Sequence, residues 1–306
     1  MSKALHRFAL FVACATFFLI IAGANVTSRD AGLSTSDWPK SNGQWFPKMV
    51  GNLFWEHGHR MVATAVGVLT ILLAVLIQFQ ERRAWVKRLA WGALGAVIAQ
   101  GLLGGLTVKL SLPLIVSAAH ATLAQLFFLI TVSLAVFTSR SWTEAEPGPG
   151  TAEGPPLRAM CVLSLAVILT QLVLGATLRH SATWDHDLPV PLLVAHICGA
   201  AVVTLVMATT VGFVLLRHRG ETYLARPAMI AASVLVVQLA LGLAAYITRM
   251  RSPYDPQPLN PMIAVTVAHV AGGALVFAAT IVLTLRVFSV TRAAEGYRRG
   301  LPLPVR

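Results

Sequence analysis

Four histidines occupy matching positions in alternate apolar segments of the sequence, at His59, His120, His196 and His269. An imidazole in hydrocarbon is costly unless it has a partner, so each of these positions requires one. Neutral imidazole is a usual axial ligand of haem iron. Four such residues at one depth, on helices that run in the same direction, therefore predict two pairs of axial ligands, with one haem held by each pair.

The depth of these histidines limits how they can pair. Each lies about six to eight residues inside the outer end of its segment, and a helical rise of about 1.5 Å per residue puts the rings about 9–12 Å below the membrane boundary. Ligands on opposite faces of one porphyrin must share a level, and these do. Pairing within each half of the chain gives His59 with His120 and His196 with His269, although four ligands allow three pairings.

Only the first of the four histidines has charged neighbours. Glu56 precedes His59 by three residues, which places both side chains on one helix face, and Arg60 follows directly. The equivalent positions of the other units hold uncharged residues, namely Ser117, Leu193 and Thr266 before the histidine and Ala121, Ile197 and Val270 after it. An electron carrier needs no buried carboxylate, so Glu56 predicts chemistry in the N-terminal half and electron transfer in the C-terminal half. A structural Glu56–Arg60 ion pair is the alternative.

These residues must be positioned by membrane-spanning helices. The chain has 306 residues, of which 56% are hydrophobic and 12% charged, and its mean hydropathy is +0.72. A soluble domain carries about 25% charged residues, whereas a bilayer-spanning helix needs about 20 apolar residues. Continuous rather than alternating apolar runs exclude a β-barrel. We predict an all-α integral membrane protein with eight transmembrane helices, at about residues 8–26, 52–79, 89–108, 113–138, 159–178, 190–216, 227–248 and 262–285.

The net charge of +12 indicates membrane topology rather than nucleic-acid binding. Most lysines and arginines fall in the termini and in alternate loops, and short basic loops stay in the cytoplasm. Both termini of a multi-pass protein of the cell inner membrane are therefore predicted to be cytoplasmic. Cys14, Cys161 and Cys198 all fall within apolar segments, which excludes a disulfide in the outer loops. The first segment also has features of a cleaved signal peptide, but the repeat described below requires it as a helix.

A proline- and glycine-rich stretch at 139–158 is the only long cytoplasmic linker in this interpretation. It divides the chain into residues 1–138 and 159–306, each with four predicted helices. An even number of helices returns the chain to the same side of the membrane. The halves are therefore predicted to be parallel, pseudo-symmetric four-helix bundles.

A shorter repeat runs within both halves. Three outward-running helices carry a glutamine and, four residues later, a glycine, as Gln100/Gly104, Gln171/Gly175 and Gln238/Gly242, and Gly23 is in register in the first helix. The glycines predict close helix packing and the glutamines interhelical hydrogen bonds. One cation follows in every unit near the outer surface, at Arg29, Lys109, Arg179 and Arg249. We interpret these cations as partners of haem propionates, and snorkelling anchors are the alternative.

The remaining histidines give weaker predictions. His6 and His218 are expected to be solvated at the cytoplasmic side, and His57 points away from His59 and receives no role. The third outer loop holds two further histidines and two aspartates, which we expect to form an exposed polar loop, with a metal site as the alternative. These loop residues are His180, Asp185, His186 and Asp187.

The Glu56-x-x-His59-Arg60 motif, the four histidines on even-numbered helices and the loop from Thr27 to Pro39 resemble the haem A synthase family over essentially the whole chain. The absence of cysteine from the outer loops is similar to one branch of that family. The first outer loop, about 25 residues with Trp38 and Trp45, is long enough to cover a site beneath it.

This resemblance implies an oxidoreductase that converts the C8 methyl of haem O, through hydroxylated intermediates, to the formyl group of haem A, which terminal oxidases require. It implies a substrate site in the N-terminal half formed by Glu56, His59 and His120, with Arg60 beside the haem. It also implies a resident haem b in the C-terminal half, held by His196 and His269. The lipid bilayer, a haem O synthase, a quinol or other electron donor and a second copy of the chain are the candidate partners.

Two other functions compete with this one. A di-haem cytochrome b would carry electrons between quinol and a partner without transforming a substrate. A transporter built from parallel repeats would need polar residues at the membrane midplane, whereas Gln100, Gln171 and Gln238 lie near the outer side.

Overall fold

The computed structural model describes residues 2–143, 154–181, 188–251 and 259–298. Eight helices in this part of the chain are long and apolar enough to cross a membrane, which confirms the predicted all-α membrane class. They are α1 (Lys3–Ser28), α2 (Gly51–Gln80), α3 (Ala84–Lys109), α4 (Leu114–Phe137), α6 (Gly154–Ser181), α7 (Val190–Arg217), α8 (Thr222–Arg251) and α9 (Asn260–Arg298). The remaining helix, α5 (Arg140–Thr143), is one turn.

The long helices pack as two closed sets of four. In the first set α1 and α3 each contact both α2 and α4, and in the second set α6 and α8 each contact both α7 and α9. The sets meet where α1 and α4 pack against α9, and where α4 packs against α6. Phe17 of α1 stacks on Phe128 of α4 at this junction, with ring centroids 5.7 Å apart, and buried Ala274 and Ala278 of α9 belong to the same apolar cluster.

Each set of four helices has its own apolar core. Leu73, Ile77 and Leu134 are among the buried residues of the first, and Met207 and Leu283 are among those of the second. Many large apolar side chains elsewhere on the helices are exposed in the isolated chain, as expected of surfaces that face lipid. The pseudo-symmetry of the two halves and their boundaries stay predictions. Within the predicted linker, residues 140–143 form α5 and residues 154–158 begin α6, while residues 144–153 lie outside the described part.

Two histidines expected to be solvated are instead used as caps. His218 is 5% exposed and ends α7, with its Nδ1 3.0 Å from Glu221 Oε1. His6 of α1 is partly buried, and its Nδ1 lies 3.0 Å from the carbonyl oxygen of Ala135 in α4. The expectation was wrong because each ring has a polar partner within the fold, a main-chain oxygen near the end of α4 for His6 and a carboxylate for His218.

The turn between α2 and α3 is fixed by one buried carboxylate. Glu81 accepts hydrogen bonds from the backbone amides of Arg82 and Arg83 and from the Arg83 guanidinium, which also donates to Phe137 O at 2.8 Å. Burial acts to raise the pKa of Glu81, but these hydrogen bonds and the Arg83 charge together outweigh it, and the pKa is lowered from 4.5.

Replacing Glu81 should therefore lower stability in a way that depends on pH. A carboxyl group whose pKa is lowered by folding stabilises the protein above its unfolded pKa and loses that effect as the pH falls through its folded pKa. We expect Glu81→Gln to cost about 1–3 kcal/mol at neutral pH. Thermal unfolding of both proteins in detergent would measure the difference in Tm, which should shrink below about pH 4.5. An unchanged Tm at neutral pH would contradict this role.

Candidate functional site

All four histidines of the repeat lie against a glycine of the preceding helix. A Cβ atom built on each glycine would lie 2.9–3.1 Å from the Cε1 atom of the facing ring, closer than real Cβ contacts normally come. The pairs are Gly23 with His59, Gly104 with His120, Gly175 with His196 and Gly242 with His269. The glycines were predicted to allow close packing, and the structure specifies the contact, because each one leaves room for an imidazole edge.

The repeated glutamines hold the histidine-bearing helices through main-chain contacts. Gln100 Nε2 donates to His120 O at 3.0 Å, and Gln171 Nε2 donates to His196 O at 2.8 Å. Gln171 Nε2 also lies 3.0 Å from His196 Nδ1. These contacts confirm the predicted interhelical hydrogen bonds for two of the three glutamines.

Two glycines on the C-terminal helices were missed in the sequence. The Gln171 amide lies against Gly199, and the Gln238 amide lies against Gly272, each three residues after a histidine of the repeat. The equivalent positions in the N-terminal half hold Val62 and Leu123. The sequence does contain a glycine three residues after His196 and after His269, but this spacing occurs in only half of the repeat units.

The second pair of histidines has a separation suited to a shared metal. The ring centroids of His196 and His269 are 6.3 Å apart, and the ring planes are inclined by 81°. This separation would bring both imidazoles into reach of one group bound between them. His59 and His120 also lie close enough to interact electrostatically.

The four rings are largely but not fully enclosed by the protein. Each ring is surrounded largely by protein, yet each residue remains partly accessible. The Nδ1 atoms of His59, His120 and His269 are buried and have no hydrogen-bond partner within the described residues. Since buried polar atoms are normally satisfied, these unpartnered ring nitrogens fit imidazoles that have a further ligand to bind.

The N-terminal half adds a buried ion pair beside its first histidine. Glu56 is 4% exposed and pairs with the Arg60 guanidinium, as expected from their i,i+4 spacing. Its other oxygen accepts from the backbone N–H of Thr35 at 3.2 Å. Arg60 also donates to the main-chain oxygens of Asp37 and Lys40, at 2.8 and 2.9 Å. The carboxylate is therefore held in place by both α2 and the first outer loop.

The first outer loop is folded over this end of the helices. The indole ring of Trp38 lies against Gly105 of α3, where a Cβ would come within 2.6 Å of the ring. Lys109 Nζ donates to Ser36 O at 3.4 Å. Consecutive glycines of α3 thus receive two different rings, His120 on Gly104 and Trp38 on Gly105. The loop has the position expected of a cover for the space next to His59 and His120.

His57 is buried and is part of the loop attachment. Its side chain points away from His59, as predicted, but its Nδ1 lies 2.9 Å from Ser41 Oγ and its Nε2 lies 3.1 Å from Trp45 O. This role could not be predicted from the spacing of residues, because both partners come from an irregular loop.

The four outer cations lie at the corresponding ends of α1, α3, α6 and α8, but their surroundings differ. The Arg29 guanidinium lies 3.9 Å from the ring centroid of Trp55, whereas Lys109 is exposed and contacts the outer loop. Arg179 and Arg249 lie close enough to repel each other, and Asp30 attracts Arg179. Two neighbouring guanidinium groups favour a site for an anion.

His180 is not part of an exposed loop, contrary to expectation. It lies in the last turn of α6, is partly buried, and is near enough to His120 and Arg179 to interact with both. The prediction was wrong because α6 continues past the end of its apolar run. His186, Asp185 and Asp187 lie outside the described residues. Within the described part of the chain, no group of three or more His, Cys, Asp or Glu side chains could hold a metal ion.

Comparison with known proteins gives a consistent family match. The family of cytochrome oxidase assembly proteins named COX15-CtaA matches residues 48–189. A heme A synthase of Rhizorhabdus wittichii is 24% identical over 340 aligned positions, which cover 90% of this chain and 92% of that protein. A heme A synthase of Symbiobacterium thermophilum is 30% identical over 184 positions, or 58% of this chain and 60% of that protein.

A third relative, a heme A synthase of Roseobacter denitrificans, is 33% identical over 126 positions, which cover 38% of this chain and 33% of that protein. The family match spans the segment from Glu56 to Arg60 and includes His120. One relative is aligned along nine-tenths of this chain and others share this region, so the chain is similar to heme A synthases and to the COX15-CtaA cytochrome oxidase assembly proteins.

Proposed function

We propose that this protein is a haem A synthase, an oxidoreductase that converts the C8 methyl group of haem O to the formyl group of haem A. The observation that carries the proposal is the buried Glu56 carboxylate, which lies one helical turn from His59 and is held by the Thr35 amide of the outer loop as well as by Arg60. The other three histidine units have uncharged residues at both equivalent positions. A di-haem electron carrier would have no use for this single carboxylate, and the family comparisons do not favour that alternative.

In this proposal, haem O binds between His59 and His120 in the N-terminal half. Gly23 and Gly104 fix the two rings against helix backbones, so little rotational freedom remains to be lost on binding. Trp38 and the rest of the first outer loop would exclude bulk water from the reacting edge. Exclusion of water strengthens the electrostatic interactions of Glu56 with the substrate.

Glu56 is the group proposed to handle a proton during oxidation of the methyl group. Its carboxylate is placed by the Thr35 amide and by Arg60 rather than by solvent. A positioned carboxylate can accept a proton from a reacting group or stabilise positive charge that develops next to it. Arg60 and the Thr35 amide hold the two carboxylate oxygens in fixed positions.

A resident haem b in the C-terminal half would be held by His196 and His269. Their ring separation and their accessible ring edges fit that group. When bound, the iron of such a haem supplies electron transfer, while the protein sets its orientation and surroundings. Gln171 fixes the helix that carries His196, and the junction around Phe17 and Phe128 separates the two sites with apolar side chains.

The remaining assignments concern the ends of the molecule. Arg29, Lys109, Arg179 and Arg249 are proposed to pair with propionate groups, since all four lie at the end of the bundle nearest the histidines. We place this end on the outer side of the cell inner membrane and both termini in the cytoplasm, in accord with the distribution of basic residues. Residues 1–138 would form the substrate half and residues 159–306 the haem b half.

Pigment analysis of the purified protein tests the proposed function. Protein produced in cells that also make haem O should yield haem O or haem A in addition to haem B on acid extraction. Removal of haem O synthesis should eliminate haem A and leave haem B. Haem B as the only pigment under both conditions would contradict a synthase and would support the electron carrier.

The histidine–glycine contacts give a second test with a matched control. We expect Gly242→Ala to reduce haem b content, because the added methyl group would meet His269 Cε1 at 2.9 Å. Gly212 of α7 has no atom within 4 Å of an added Cβ, and Gly212→Ala should leave haem b content unchanged and raise stability by up to about 1 kcal/mol. The absorbance of reduced haem b per mole of protein measures the effect. Equal haem b content in both variants would argue against the His269 assignment.

A further inference from the structure

We propose that His57 is a positioning residue that acts through Ser41 and Arg60 on the Glu56 carboxylate. The inference rests on the role proposed above for Glu56. His57 is 5% exposed and Ser41 is fully buried, and both ring nitrogens of His57 have partners in the first outer loop. A histidine that only filled space would not need two polar partners drawn from an irregular segment.

The partners fix the direction of every hydrogen bond in this network. The main-chain oxygen of Trp45 can only accept, so His57 Nε2 carries the hydrogen and donates. In the uncharged ring Nδ1 is then the acceptor, and Ser41 Oγ–H donates to it. Ser41 Oγ in turn accepts from Arg60 NH1 at 3.2 Å, and the other end of the guanidinium donates to Glu56.

The result is a line of hydrogen bonds that ends on the carboxylate, with a branch from Arg60 to the main-chain oxygens of Asp37 and Lys40. It runs from Glu56 back through the Arg60 guanidinium and the Ser41 hydroxyl to His57, which is anchored on the Trp45 carbonyl. Hydrogen bonds arranged in this way polarise one another, especially where they are buried. Removing His57 leaves the Ser41 hydroxyl without its acceptor, so the hydroxyl can rotate and the guanidinium keeps only the main-chain oxygens of Asp37 and Lys40 on that side.

The serial arrangement predicts how variants should combine. Ser41→Ala breaks the line in its middle and adds no bulk, and His57→Leu breaks it at its end. Each should slow conversion of bound haem O by about tenfold or more. Because both changes interrupt one line, the double variant should be no slower than the slower single variant, within about threefold. His57→Asn, which keeps an acceptor near the position of Nδ1, should recover part of the rate.

The measurements must separate positioning from folding and from binding. Haem A formed per mole of haem b gives turnover, and spectral titration with haem O gives affinity, which we expect to change by less than about threefold. Haem b content reports whether the protein is folded. Gln44→Ala changes an exposed residue of the same loop and should behave as the parent protein does.

Three results would overturn the inference. They are a parental turnover rate in His57→Leu or Ser41→Ala, effects of the two changes that multiply in the double variant, and loss of haem O affinity in place of turnover. If His57→Leu fails to incorporate haem b, the isosteric Ser41→Ala alone decides the question. Glu56→Gln distinguishes this inference from the proposed function. Normal haem A formation in Glu56→Gln refutes the proposed role of Glu56. Loss of haem A formation in Glu56→Gln, together with normal turnover in Ser41→Ala, refutes only the role of His57.

Discussion

Glu56→Gln should lower haem A formation by about 100-fold or more while haem b content stays near the parental level. The substitution keeps the size of the side chain but removes its charge, one of its two acceptor oxygens and its ability to take up a proton at neutral pH. Arg60 would also lose its buried ionic partner, although it keeps the Asp37 and Lys40 carbonyl oxygens as acceptors. Quantifying haem O and haem A in membranes, relative to haem b, measures this effect.

Glu81→Gln is the matched control for that experiment. Glu81 is another buried carboxylate paired with an arginine, at the opposite end of the same helix. The Glu81→Gln substitution should lower stability but leave the amount of haem A formed per haem b unchanged, because Glu81 lies at the opposite end of α2 from His59. A normal rate in Glu56→Gln, or an equal loss of rate in Glu81→Gln, would contradict a chemical role for Glu56.

Replacing either histidine of the C-terminal pair should have the second large effect. We expect His196→Ala and His269→Ala each to reduce the low-spin haem b signal by about tenfold or more, because axial ligation depends on both imidazoles. If the proposed haem b supplies the electrons, haem A formation should fall in parallel. Reduced-minus-oxidised spectra of the purified variants measure the loss.

His218→Ala serves as the control, because His218 is also buried on α7 but at the end opposite His196. It should retain haem b, with stability lowered by loss of the contact with Glu221. An unchanged low-spin spectrum in His196→Ala or His269→Ala would remove that residue as a ligand. Loss of the signal in His218→Ala as well would mean that the assay reports folding rather than ligation.

The helices and the main histidines could be predicted from sequence because they follow simple physical rules. Apolar runs long enough to span a bilayer must be helical, and the structure confirms eight such helices. Register within those runs then predicted that glycines such as Gly104 would allow close approach. That the approaching group is the His120 ring could not be read from the pattern, because the rotation of one helix about its axis relative to the next is set by packing.

The contacts of the first outer loop could not be predicted from the sequence for a different reason. His57, Ser41 and Trp45 are joined by hydrogen bonds between a helix and a segment without periodicity, and neither apolar spacing nor charge indicates such pairs. His180 was misplaced for a related reason, since helices continue past their apolar stretch when tertiary contacts stabilise the last turn. The roles of all four histidines as haem ligands stay predictions that the variants above test.

The attachment of the first outer loop relies largely on main-chain oxygens. Arg60 binds those of Asp37 and Lys40, His57 binds that of Trp45, and Lys109 binds that of Ser36. Every amino acid supplies a main-chain oxygen, so substitutions at Lys40 or Trp45 would preserve these hydrogen bonds. A substitution at Arg60 would remove those to Asp37 and Lys40. Related proteins are therefore expected to differ in the amino-acid sequence of this loop while they preserve its conformation. Their common ancestry should be easier to recognise in α2 than in the first outer loop.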